Sequence, residues 1–203
     1  MKKKNLLIIC LGILLATLIS FYLDVRISQG FESIRNYFLT DLFMGITFVS
    51  SGVIIFFILT SLFLWKENKR KYILPLWVTL ALSAIVSFLL KIAIKRPRPY
   101  QINVVSALFE EASHNIWNFS LPSFQAMLAF CAIPILSKEF PKLKYIWIVF
   151  AVLIAISRVY LGVHFMSDIF IGGLIGYFLG VLVIKSEDKT NFWGKIYKKI
   201  FRR

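Results

Sequence analysis

Residues 157 to 168 bring an arginine, a histidine and an aspartate together in sequence that is otherwise almost entirely apolar. Ionisable side chains in or beside a membrane segment are energetically expensive, so they indicate a functional site. His164 and Asp168 are four residues apart and would share one face of a helix. Asp168 could then bind one imidazole nitrogen and leave the other free as a base or nucleophile. With Arg158 as a donor to an oxyanion, the stretch is typical of half of a phosphate-handling site.

The composition is that of a membrane protein. Of the 203 residues, 59% are hydrophobic, and the mean hydropathy of +0.76 is too high for an ordinary soluble domain. The net charge is +14, but the basic residues form short clusters between apolar runs, so membrane topology explains them better than a nucleic-acid partner does. Cys10 and Cys131 lie inside apolar runs and predict neither a disulfide nor a metal site.

Six apolar runs are long enough to form membrane helices, at residues 6–23, 42–65, 72–94, 122–137, 145–161 and 165–184. We therefore predict an all-α fold, an integral membrane bundle of six transmembrane helices, in one domain over residues 1–203. The first run is not closed by a cleavage pattern of small residues, which favours a retained helix over a signal peptide. The mixed segment 24–40 predicts a short interfacial helix. Gly172, Gly173 and Gly176 predict close packing in the last span.

The basic residues predict the orientation. Of the 24 Lys and Arg, 17 lie in the amino terminus, the loops at 66–71 and 138–144, and the tail at 185–203. With six spans these segments share one side, which the positive-inside rule makes cytoplasmic. We expect both termini to be cytoplasmic and the membrane to be a prokaryotic cytoplasmic membrane. The rule disfavours basic residues on the outer side, and an anionic ligand would explain those that fall there beside the suspected site: Lys91, Lys95, Arg96, Arg98 and Arg158.

Three stretches reach that outer side in an order and spacing that resemble a known family. A lysine is followed after six residues by Arg-Pro, and Ser-Arg is followed after five residues by His and after three more by Asp. Between these motifs stands Pro-Ser-Phe-Gln. The chain resembles the type 2 phosphatidic acid phosphatase family of membrane lipid phosphatases, which is related to the vanadium haloperoxidases. The family's first and third motifs match at every position, and its second, Pro-Ser-Gly-His, matches at half. The resemblance covers about residues 72–184.

The resemblance implies a role for each matching residue. His164 would attack phosphorus to give a phosphohistidine, with Asp168 orienting it. The phosphoryl oxygens would be held by Lys91, Arg98, Ser123, Gln125 and Arg158. The implied reaction needs no metal or cofactor. The implied partner is a lipid phosphate in the bilayer, either a polyprenyl diphosphate or a glycerophospholipid phosphate, reached from the outer face.

Gln125 departs from the family, because the family has its general-acid histidine at this position. A positioned acid is worth about 10²- to 10⁴-fold in rate, and an amide cannot release a proton. The enzyme could favour leaving groups that need little protonation, such as the phosphate of a polyprenyl diphosphate. His114, on the same outer connection, could be a substitute acid. Alternatively, the chain could bind phosphorylated lipid with impaired turnover.

Other functions share part of this pattern. A non-catalytic binder of lipid headgroups would keep the basic residues, and restoring histidine at Gln125 should then create activity where there was none. An anion transporter would also use basic residues, although the middles of the spans carry none. A transferase that passes phosphate to another lipid would share every step up to the phosphohistidine, and the sequence does not separate it from a hydrolase.

Overall fold

Helices form all the regular structure in the residues described by the computed structural model, which are 3–106, 108 and 118–201. This confirms the all-α prediction. The nine α-helices of this part of the chain are α1 Lys3–Ser33, α2 Tyr37–Val49, α3 Gly52–Trp65, α4 Ile73–Ile94, α5 Phe124–Cys131, α6 Ile133–Glu139, α7 Leu143–Tyr160, α8 Met166–Thr190 and α9 Phe192–Phe201. Two short 3₁₀ helices, Glu67–Tyr72 and Pro99–Ile102, flank α4.

Four helical segments of the described chain are long and apolar enough to cross a membrane: Leu11–Ser33, Glu67–Ile102, Leu143–Tyr160 and Met166–Thr190. Helices α2 and α3 add a fifth if the pair is one span. The predicted count of six stays a prediction, because the run at 122–137 is divided between the short helices α5 and α6. Pro134 stands in the first turn of α6 and has no N–H with which to continue the hydrogen bonds of α5.

The predicted span over residues 42–65 is bent by 64° between α2 and α3. Ser50 Oγ donates to the carbonyl of Thr47 at 2.8 Å, and Ser51 Oγ accepts the amide of Ile54 at 3.4 Å. Serine hydroxyls that bond to nearby backbone groups compete with the helical hydrogen bonds and suit helix ends. The bend therefore has a polar cap on each side.

Helix α1 is longer than predicted. It continues without a break to Ser33, and α2 begins only at Tyr37, so the expected interfacial helix over residues 24–40 is wrong. Asp24 is 2% exposed, and it accepts a hydrogen bond from the amide of Ser167 at 2.9 Å. A buried carboxylate needs such partners in place of water. These partners, which are distant in sequence, turn Asp24 towards the protein interior and α8.

The glycines of α8 allow this helix to lie directly against α5. A Cβ atom at Gly172 would lie 2.8 Å from the carbonyl oxygen of Ser123, and one at Gly176 would overlap the backbone of Met127. Gly173 faces the ring of Phe130. The predicted close packing of these glycines is confirmed. It brings the amino-terminal ends of α5 and α8 together, where Ser123 N donates to the carbonyl oxygen of Asp168 at 3.1 Å.

Candidate active site

The stretches that carry the motifs meet where α4 and α7 end and where α5 and α8 begin. They enclose much of a cavity of about 510 Å³. Its walls are formed by Ser51, Gly52, Ala84, Ser87, Phe88, Lys91, Arg98, Phe124, Gln125, Arg158 and His164. Five of the seven predicted catalytic and phosphate-binding residues therefore line one cavity, and the other two, Ser123 and Asp168, lie behind its wall.

Three cationic side chains, Lys91, Arg98 and Arg158, face this cavity and are almost fully buried. Lys91 Nζ donates to the carbonyl oxygen of Phe119, and Arg98 Nη1 donates to the carbonyl oxygen of Val163 at 3.2 Å. No aspartate or glutamate is among the described residues that line the cavity. Three cations arranged around one cavity suit an anion with several oxygen atoms.

His164 and Asp168 form a close pair beside these cations. The imidazole Nδ1 lies 3.5 Å from Asp168 Oδ2, and the same carboxylate oxygen accepts the amide of Phe165 at 2.8 Å. Nδ1 thus faces the carboxylate, and Nε2 is the ring nitrogen left for a reacting group. Burial lowers the pKa of His164 well below its usual range, and the three cations, Arg98 first, lower it further. The imidazole is therefore neutral at neutral pH, as a nucleophile must be.

A tight turn between α7 and α8 places His164. The carbonyl of Arg158 accepts the amides of Val163 and His164, each at 3.2 Å. Gly162 has a φ of +78°, and a Cβ atom there would lie 2.8 Å from Arg35 Nη2. Glycine adopts this φ without the steric cost that other residues incur. Arg35 also donates to the carbonyl of Tyr160 at 3.0 Å, so it anchors the turn that presents His164.

Gln125 lines the cavity at the position where the family has a histidine. Its side-chain nitrogen donates to Ser50 Oγ at 3.0 Å and lies 3.4 Å from the carbonyl oxygen of Thr47. Its side-chain oxygen is buried and has no hydrogen-bond partner among the described residues. The side chain therefore joins α5 to the bend between α2 and α3 and carries an acceptor, but not a proton to release.

Ser123 is fully buried just before α5 and does not line the cavity. Its hydroxyl has no hydrogen-bond partner in the described part of the chain, whereas its amide is bonded to Asp168. Its predicted role as a phosphate ligand stays a prediction. His114, predicted as a possible substitute acid, lies outside the described residues.

Two residues beside the site were not predicted as part of it. Arg96 Nη1 donates to Asp168 Oδ1 at 2.7 Å, and Arg96 Nη2 donates to Asp24 Oδ2 at 2.7 Å. The sequence held a signal for Asp24, because this aspartate follows directly on the first apolar run. Arg96 was placed only in a general basic cluster. The link between the two residues depends on the packing of α1 and could not be found from local spacing.

Comparison with known proteins gives a matching family model and two relatives with names that describe phosphatases. A family model described as the PAP2 superfamily matches residues 72–192. Phosphatidylglycerophosphatase B of Bacillus subtilis (strain 168) is 31% identical over 181 residues, which cover 82% of this chain and 84% of that protein. An undecaprenyl-diphosphatase of Sulfolobus acidocaldarius is 28% identical over 130 residues, which cover 64% of this chain and 62% of that protein.

Two crystal structures are also similar. A transmembrane PAP2-type phosphatidylglycerolphosphate phosphatase from Bacillus subtilis gives a TM-score of 0.70 at 28% identity, covering 89% of this chain and 96% of that one. Aquifex aeolicus LpxE gives a TM-score of 0.62 at 28% identity, covering 80% and 95%. The family match covers more than half of the chain, and the relatives agree with the motifs. The chain therefore belongs to the PAP2 superfamily, the type 2 phosphatidic acid phosphatase family of membrane lipid phosphatases.

Proposed function

We propose that this protein hydrolyses a phosphorylated lipid through a phosphohistidine intermediate. The observation that carries the proposal is a cavity in which a neutral His164, backed by Asp168, faces three cations. In the first step, Nε2 attacks phosphorus and the leaving oxygen departs with the electron pair of its bond. In the second step, water attacks phosphorus, the P–N electron pair returns to Nε2, and phosphate is released with the water's oxygen.

The cations lower the barrier to both steps. Negative charge builds up on the phosphoryl oxygens and on the leaving oxygen, and Lys91, Arg98 and Arg158 are already fixed around the cavity. Donors fixed in place before the reaction stabilise the transition state without reorganising. Asp168 Oδ2, 3.5 Å from Nδ1, is placed to accept the Nδ1 proton in a hydrogen bond during the reaction, and its charge stabilises the imidazolium that forms as Nε2 bonds to phosphorus.

Gln125 favours a polyprenyl diphosphate over a lipid monophosphate. No described residue that lines the cavity is a carboxylic acid, His164 is occupied as the nucleophile, and a lysine ammonium is a weak acid. An alkoxide leaving group needs a proton, whereas the phosphate of a diphosphate leaves as a stable anion. One relative carries the name undecaprenyl-diphosphatase, which agrees with this choice. A glycerophospholipid phosphate remains the other substrate class, as the name phosphatidylglycerophosphatase B indicates.

We further propose that the site opens at the outer face of the membrane and that both termini are cytoplasmic. The support is the charge distribution, because the loops and ends rich in Lys and Arg would then share the cytoplasmic side. This orientation needs six crossings, with α2–α3 and α5–α6 each crossing once. Short loops and lysine-rich ends suit a prokaryotic cytoplasmic membrane.

A second candidate function is a lipid-phosphate-binding protein with impaired catalysis. Gln125 favours this candidate, since the amide removes the general acid and leaves the cationic cavity in place. Both functions predict that the protein binds a lipid phosphate, but only the phosphatase predicts normal turnover of it.

The test is phosphate release by the purified protein in detergent, with a polyprenyl diphosphate and a phosphatidic acid compared, and His164→Ala as the control. The proposal expects release from the diphosphate, little from the phosphatidic acid, and none in the control. Release from both would point to a substitute acid. Binding of both lipids without release from either would favour the binding protein.

A further inference from the structure

We propose that Asp24 and Arg96 are positioning residues for the reaction: together they form a clamp, called here the Asp24–Arg96 clamp, that fixes the carboxylate of Asp168. This inference rests on the proposed roles of His164 and Asp168. Asp24 lies in α1, outside the residues 72–192 that match the family model. The amino-terminal helix would thus complete the catalytic pair.

Arg96 is held in place from several directions. Its Nη1 donates to Asp168 Oδ1 at 2.7 Å and to Ser167 Oγ at 2.6 Å, and its Nη2 donates to Asp24 Oδ2 at 2.7 Å. The guanidinium carbon lies 4.3 Å from the ring centroid of Phe165 and 5.0 Å from that of Phe21. A planar guanidinium bound along two edges and stacked on rings has little freedom to turn.

Asp24 is held as firmly as Arg96. Its Oδ1 accepts the backbone amide of Ser167 at 2.9 Å, in the first turn of α8, and its Oδ2 accepts the Ser167 hydroxyl. The amino-terminal end of a helix favours a negative charge. Asp24 and Asp168 are both buried, and Arg96 supplies the positive charge between them.

With the clamp in place, the two carboxylate oxygens of Asp168 have different partners. Oδ1 binds Arg96, while Oδ2 accepts the Phe165 amide and lies 3.5 Å from His164 Nδ1. This arrangement fixes the plane of the carboxylate so that Oδ2 keeps its direction towards the imidazole. Because Asp24 shares the guanidinium, Asp168 is not fully neutralised by Arg96. It keeps the negative charge that stabilises the imidazolium during attack on phosphorus.

The test compares variants of the full chain in detergent, with a polyprenyl diphosphate as the substrate. Asp24→Asn keeps the shape of the side chain and an acceptor for the Ser167 amide but removes the charge that holds Arg96. Arg96→Lys keeps the positive charge but loses the planar guanidinium that donates along two edges. Arg26→Gln is the matched control, because it removes a charge from α1 two residues from Asp24, while the Arg26 side chain is exposed and its guanidinium carbon lies 6.0 Å from the ring centroid of Tyr22.

We expect Asp24→Asn and Arg96→Lys each to lower kcat by about 10- to 100-fold, the cost of a small misplacement at a reacting centre. KM and the affinity for orthovanadate should stay within about twofold, since Lys91, Arg98 and Arg158 hold the phosphate. Arg26→Gln should keep the kcat of the wild type. Added guanidinium should restore part of the activity of Arg96→Ala, because it can again bridge Asp24 and Asp168.

Unchanged kcat in Asp24→Asn would overturn the clamp, as would an equal loss in Arg26→Gln, because that loss would reflect only a change of charge on α1. Should Asp24→Asn fail to fold, the guanidinium experiment decides: no rescue of a folded Arg96→Ala overturns the proposal. His164→Ala distinguishes failure of the proposed function from failure of the clamp. If it is active, the proposed function fails and the clamp fails with it; if it is inactive while Asp24→Asn is fully active, only the clamp fails.

Discussion

The side-chain nitrogen of Gln125 donates to Ser50 Oγ at 3.0 Å and so joins the cavity wall to the bend between α2 and α3. A glutamine at this position holds two helices together and offers a substrate no proton. The contact explains how this part of the cavity wall stays in place although glutamine replaces the family's general-acid histidine. It also makes position 125 the place at which substrate choice can be altered.

Gln125→His should add hydrolysis of phosphatidic acid. A positioned imidazolium can protonate an alkoxide leaving group, and general acids contribute about 10²- to 10⁴-fold. We expect a gain towards the lower end of this range, about 10²-fold, because the site is not otherwise adapted to histidine. Hydrolysis of a polyprenyl diphosphate should change much less. The measurement is kcat/KM for both lipids.

Ser50→Ala is the control for that experiment, since it removes the hydroxyl that Gln125 binds and leaves the amide in place. It should not create activity on phosphatidic acid. If it does, the gain in Gln125→His comes from loosening the bend and not from a proton donor.

His164 should titrate below its usual range, about 6.5. Burial and the neighbouring cations hold its pKa well below that value, so the imidazole should remain mostly neutral at pH 6.5. The chain has two histidines, and His114→Ala leaves His164 as the only one. The measurement is an NMR titration of the ring in ¹⁵N-histidine-labelled protein carrying a tag without histidine. A ring that protonates at or above pH 6.5 would contradict the environment described here.

The same shift predicts how stability depends on pH. The unfolded chain takes up a proton at His164 near pH 6.5, whereas the folded chain takes it up only at lower pH. The contribution of His164 to the free energy of unfolding is therefore fully present above about pH 6.5 and falls on acidification below it. Thermal unfolding of wild type and His164→Ala at several pH values should show a steeper acid loss in the wild type.

Arg158 should be needed for binding an oxyanion that resembles the transferred phosphoryl group. Orthovanadate should raise the melting temperature of the wild type, by the equivalent of about 2.7 kcal/mol at a concentration of 100 Kd. Arg158→Gln should remove most of this rise, because Arg158 is 1% exposed and lines the cavity. Arg26, an exposed arginine on α1, provides the control. An equal rise in Arg158→Gln and Arg26→Gln would place vanadate elsewhere.

Gly176→Ala should separate α5 from α8 and destabilise the fold. The added Cβ would meet the backbone of Met127, which cannot move aside as a side chain can. Overpacking of this kind costs about 1–3 kcal/mol. Gly45→Ala in α2 is the matched control, because its Cβ would meet nothing within 4 Å and should be neutral or slightly stabilising. The measurement is thermal unfolding in detergent, and equal melting temperatures for the two variants would refute the close-packing argument.

The motif residues could be predicted to meet because chemistry demands particular residue types at fixed spacing. Lys91, Gln125 and His164 do line one cavity. Most helices were also predictable, since a membrane core requires long apolar runs. The bend in the second run was not, because Ser-Ser-Gly is tolerated within many helices. Its polar partner, Gln125, comes from α5 and is 75 residues away in sequence.

Asp24 and Arg96 show the same limit more sharply. They are 72 residues apart, and no local pattern joins them. Asp24 and Asp168 share Arg96 only because α1 packs against α8. Sequence spacing reports chemistry within a segment, whereas a buried ion pair between segments depends on tertiary structure.

Because Asp24 lies in α1, the smallest fragment that keeps both carboxylates on Arg96 must include α1. A fragment cut to residues 72–192 would carry every motif of the family, yet it would leave Arg96 bound to one carboxylate instead of two. Grafting the motifs onto another helical scaffold would meet the same difficulty. The catalytic unit of this enzyme is therefore the motif region together with α1. A substitution at the contact in one of them requires a compensating substitution in the other.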